Sequence, residues 1–181
     1  MNRAALTERL IDLAGPLGPL GTDEERDKIR QELLGGAPIT TAAAILDAVA
    51  AQPELPVNVS REDFEFAATE LLAELGEQPG VVDHLLRRWG EPPIRVAILD
   101  ALALLAARTA APALAALARA QIPHASLDTR ELVSLVSALG CVGGEKALAA
   151  VEELRARGNW PAEVSRELEI ALEALTGRQP R

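Results

Sequence analysis

Tyrosine is absent from this 181-residue sequence, cysteine and methionine occur once each, and two Phe and two Trp supply its only large aromatic rings. A lone cysteine excludes a disulfide framework and a cysteine-ligated zinc site, so no oxidising compartment is implied. Basic residues are also scarce: 18 Lys and Arg stand against 27 Asp and Glu, a net charge of −9. That balance argues against a sequence-independent grip on nucleic acid, because such affinity comes mostly from cations neutralising phosphates. No segment approaches the roughly 18 uncharged apolar residues of a membrane span. The N-terminal stretch carries acids and arginines where a signal peptide needs an unbroken apolar core, so the expected location is the cytoplasm. Sixteen of the 18 basic residues are Arg, and Ala and Leu dominate, a bias expected of a GC-rich bacterial genome.

What is present is helical periodicity. Half of the chain is hydrophobic (49%), and apolar residues recur every three or four positions while no stretch alternates as a strand would. Start and stop signals divide this pattern into about ten helices, near 3–13, 23–34, 40–51, 61–75, 79–88, 93–106, 111–121, 129–140, 145–157 and 162–175. Thr22 with Glu25 reads as a capping box, Ser60 and Asp128 as N-caps, Pro161 as a first-turn residue, and Gly35, Gly76, Gly90, Gly140 and Gly177 as helix ends. The connections at 15–21 and 51–60 are too short and too apolar to separate domains, so one domain is expected over 1–181: an N-terminal helix and turn (1–21), repeats (22–177) and a tail (178–181).

The repeats emerge when Arg95, Arg130 and Arg166 are aligned. "RVAILDALAL", "RELVSLVSAL" and "RELEIALEAL" then share apolar residues two and nine places after the Arg, at spacings of 35 and 36. A fourth copy, "REDFEFAATELL" from Arg61, joins with a one-residue slip, and a second helix follows each copy as in "APALAALARAQ" and "EKALAAVEELRAR". A helical hairpin that cannot bury its own apolar face is stabilised by stacking on its neighbours. On these residues, and on the turn "ALGCVG" at 138–143, the chain resembles the HEAT repeat family, in particular its short bacterial, bilin-lyase-type form. The resemblance implies an all-α, right-handed α-α superhelix (solenoid) of about four hairpins with an N-terminal capping helix. Tetratricopeptide repeats have a similar period but need aromatic positions that this chain does not fill.

Sites of chemistry are harder to find. In "SALGCVGGEK" (137–146) Cys141 takes the slot that Ala106 fills one repeat earlier, so it is expected to be a small apolar filler, and the stretch fails the phosphate-loop pattern. His84 and His124 are 40 residues apart and belong to no ligand pair, so neither a metal nor a cofactor is expected. Six residues before each aligned Arg stand Trp89, His124 and Trp160, which form either a set of staples over their own turns or an edge that receives a partner.

Charge divides by helix. The helices that begin at the aligned arginines, with 22–34, hold 17 acidic and seven basic residues, whereas the alternate set from 40 onward holds five and six. In the family the first set lines the concave surface, which here would place Glu62, Asp63, Glu65, Glu163, Glu169 and Glu173 on the flanks of a groove with Ile98, Leu102, Val133 and Ser137 in its middle. The expected function is a non-catalytic scaffold or adaptor that binds a basic, partly apolar segment of another protein, without nucleic acid or membrane. A structural subunit of a larger assembly is an alternative. So is an enzyme related to the bilin lyases or alkylpurine DNA glycosylases, although none of their functional residues is matched and the glycosylases need a basic groove.

Overall fold

Two of the described helices begin at a residue whose side chain caps them, Ser60 and Asp128. The structure, a computed structural model, describes residues 3–15, 23–122 and 126–177. The Ser60 side chain accepts the Asp63 N–H at 3.0 Å while the Asp63 carboxylate accepts the Ser60 N–H at 3.4 Å, a reciprocal capping box. Asp128 and Glu131 repeat the device at 2.8 and 3.0 Å. The expected box at Thr22 lies outside the described residues. Among those described there are ten α-helices and no strand, so the chain is all-α: α1 (Arg3–Ala14), α2 (Asp23–Leu34), α3 (Pro38–Ala50), α4 (Arg61–Gly76), α5 (Val81–Arg88), α6 (Arg95–Leu104), α7 (Ala111–Gln121), α8 (Thr129–Val142), α9 (Glu145–Arg157) and α10 (Ala162–Thr176). Short 3-10 turns at Pro92–Ile94 and Arg108–Ala110 lead into α6 and α7.

One expected helix end moves for a packing reason. Gly140 does not end a helix: α8 runs on to Val142, and a Cβ at Gly140 would sit 3.2 Å from Ala171, so the glycine lets α8 and α10 approach closely. The helix stops instead at Gly143, whose φ of +71° is left-handed. Pro161 stands one place before the first residue of α10, as its N-cap.

The contacts of the chain fall into two units, within residues 1–97 and 98–181. In the first, α1 packs on α2, α3 and α4, and α3 packs on α4 and α5. Leu10, Ile45, Leu46, Phe64, Leu71 and Leu85 are fully buried there, each contributing about 1.5–3 kcal/mol. The contact of α1 with α4 departs from a simple stacking of consecutive hairpins. In the second unit, helices two apart lie side by side, α7 with α9 and α8 with α10, and consecutive helices pack across the two pairs. Arg119 of α7 grips Glu153 of α9 at 2.8 and 2.9 Å, but both side chains are over two-fifths exposed, so the pair contributes little stability. No single helix among the described residues is long and apolar enough to cross a membrane.

Candidate interaction surface

The expected groove centre is corrected first. Ile98 and Leu102 are both 0% exposed, so they belong to the core and offer no anchor to a partner. They follow Arg95 at the same spacings at which the exposed Glu169 and half-exposed Glu173 follow Arg166, but on α6 that stripe is packed. Val133 and Ser137 on α8 are half-exposed. Glu62 and Asp63 are exposed on the first turn of α4 and Glu65 is half-exposed; Asp63 also accepts the Ser60 hydroxyl at 2.6 Å. On α10, Glu163 is exposed, Glu173 is half-exposed, and Glu169 pairs with Arg155 of α9 at 2.8 Å.

The tryptophans clasp their own turns. The Trp160 indole N–H donates to the Leu154 carbonyl at 2.6 Å, and the Arg157 guanidinium lies 4.4 Å from the ring centroid. Trp89 carries Arg95 at 5.6 Å, whose Nε donates to the Trp89 carbonyl at 3.3 Å. Both rings are half-buried. His124 lies outside the described residues. Phe64, buried in the first unit, has Arg61 at 5.7 Å from its ring.

Phe66 differs from the other three rings. It is 59% exposed in the middle of the outer strip of α4, and among the described residues no arginine lies over it. Glu62 and Asp63 precede it by four and three residues and Glu70 follows by four, spacings that put all three residues on the helix face of the ring, with the Asp63 carboxylate held by Ser60 and Glu70 near Arg30. It lines an open cleft of about 440 Å³ in the first unit, with Asp63 and Glu70 of α4 and with Asp23, Arg26, Asp27 and Arg30 of α2. The two arginines are already engaged. Arg26 donates to the carbonyls of Leu13 and Gly15 at 3.1 and 3.2 Å, while Arg30 meets Glu74 at 2.7 Å and Glu70 at 3.9 Å. The cleft therefore presents an excess of carboxylate around an apolar ring. In the sequence Phe66 is marked only by the spacing Glu62, Phe66, Glu70, a ring in line with two glutamates on a polar stripe. Ile170, 45% exposed on α10 between Glu167 and Glu173, is a smaller relative of the same arrangement.

Two other groups carry perturbed chemistry. Cys141 is exposed, not an apolar filler, and so is Ala106, its counterpart. Ala106 takes a left-handed φ of +47° whereas Cys141 is helical, so the shared register does not carry a shared environment. Partial burial, and then the Glu167 carboxylate, push the thiol pKa up, which keeps it protonated and a poor nucleophile. The half-buried His84 on α5 is held below the ordinary histidine value by desolvation, then by Arg88 and Arg87, against an opposing pull from Asp47. Arg88 itself bridges Asp47 of α3, at 2.9 Å, to Glu91 beyond the end of α5. Among the described residues no three His, Cys, Asp or Glu side chains converge as a metal site would require. No family model, curated protein or solved structure matches the chain.

Proposed function

We propose that the chain is a non-catalytic, cytoplasmic scaffold or adaptor built of HEAT-like helical hairpins, which holds a basic, partly apolar segment of another protein against the cleft at Phe66. The observation that carries this reading is the exposed Phe66 ring flanked by Glu62, Asp63 and Glu70. An exposed aromatic side chain gains from being desolvated by a partner, and rings of this kind concentrate the energy of protein interfaces. The surrounding carboxylates attract a basic segment over roughly 8 Å at physiological ionic strength, so they act on association rate more than on final affinity. The side-by-side packing of α7 with α9 and α8 with α10 supports the hairpin reading in the second unit.

The reading is tested with basic amphipathic peptides selected from a displayed library on the full chain. Phe66→Ala is expected to cost about 2 kcal/mol, a weakening of about 30-fold, as truncation of a central contact does. Glu62→Lys with Glu70→Lys should slow association and flatten its salt dependence. Circular dichroism should be unchanged, since Glu62 and Phe66 are exposed and Glu70 is half-exposed on α4. Selection of no basic peptide, or equal binding by the Phe66→Ala chain, would overturn it.

A further inference from the structure

We infer that Phe66 is a seat for an arginine side chain of the bound protein, an inference that rests on the docking reading above and narrows its partner to an arginine-bearing segment. The chain has four large aromatic rings. Three of them have an arginine of the chain itself over the ring, at 5.7 Å on Phe64, 5.6 Å on Trp89 and 4.4 Å on Trp160. Among the described residues, only the fourth, Phe66, turns a largely exposed ring to solvent with no arginine over it. The arginines that line the same cleft do not cover it, because Arg26 is tied to two backbone carbonyls and Arg30 to Glu70 and Glu74.

The chemistry around the ring selects the cation. A guanidinium lying flat on Phe66 keeps its N–H donors in plane, where they point outward toward Glu62, one turn before the ring, while Asp63, held by Ser60, and Glu70, near Arg30, add negative charge nearby. Stacking and pairing are then satisfied together. A lysine ammonium is a compact, strongly hydrated point charge that must give up one for the other. Phosphate-bearing ligands fit poorly, because the same carboxylates repel them.

Twelve-residue peptides selected from a random displayed library on the full chain provide the probe, each paired with a counterpart in which every Arg is Lys. Both are titrated into the wild type and into Phe66→Leu, which keeps an apolar side chain but removes the π face. The arginine peptide is expected to bind the wild type about two- to five-fold more tightly than its lysine counterpart. That preference should fall to about one in Phe66→Leu, with loss of the upfield ring-current shift of the peptide's arginine Hδ protons. Enrichment of basic peptides with no preference for arginine, or a preference that survives in Phe66→Leu, overturns the arginine seat and leaves the docking reading standing. Failure to enrich any basic peptide overturns the docking reading and the seat with it.

Discussion

His84 buries Nε2 without a hydrogen-bond partner among the described residues, beside two arginines of its own helix. Burial and those arginines disfavour the imidazolium, so the folded chain binds this proton less readily than the unfolded chain does. The stability that follows is fully present above the unfolded pKa of 6.5 and is lost as pH falls through the lower folded value. The urea midpoint should therefore drop between about pH 7.5 and pH 5, and by less in His84→Gln; equal drops in the two proteins would remove His84 from the account. Cys141 gives a second expectation. With its pKa raised, the thiol should react with iodoacetamide more slowly than free cysteine at neutral pH despite its exposure, and Cys141→Ala should leave peptide binding intact. Alkylation faster than free cysteine would contradict the raised pKa. Side-chain exposure was the least legible property of the sequence. Ile98 and Leu102, expected in the middle of a groove, are buried, whereas Phe66, two residues from the buried Phe64, is exposed. A helical period says which residues share a face, and only the neighbours decide which face is covered.

Helix limits were far more legible, because they are written locally. The reciprocal bonds of Ser60 with Asp63 and of Asp128 with Glu131 close within four residues, and the start of α4 falls where those signals put it. Gly140 shows where local reading stops: glycine marks a helix end in most contexts, but here its meaning comes from Ala171, 31 residues away on α10. Gly140→Val should force α8 and α10 apart at a cost of about 1–3 kcal/mol, read as a lowered urea midpoint with helicity retained. A midpoint unchanged by Val would mean that the two helices are not in close contact there. The aromatic turns were half legible. The placement of Trp89 and Trp160 between helices was visible in the register, but the arginines over them and the bond from Trp160 to the Leu154 carbonyl required the folded turn.

The net charge of −9 and its concentration on alternate helices can be read from the sequence, and both bear on what the molecule attracts. They do not say where a partner is held, because carboxylates spread over many helices steer without anchoring. An anchor needs apolar surface left uncovered after folding, and on α4 that surface is Phe66. A photo-reactive benzoylphenylalanine at position 66 of the full chain, compared with the same probe at the exposed Ala156 of α9, tests this directly in the cells that make the protein. Sequencing of the crosslinked peptide is expected to recover, from position 66 and not from 156, a protein segment in which arginine lies among apolar residues. Crosslinks from position 66 to acidic segments, to nucleic acid or to lipid, or the same products from both positions, would contradict the assignment of this surface to a basic protein partner.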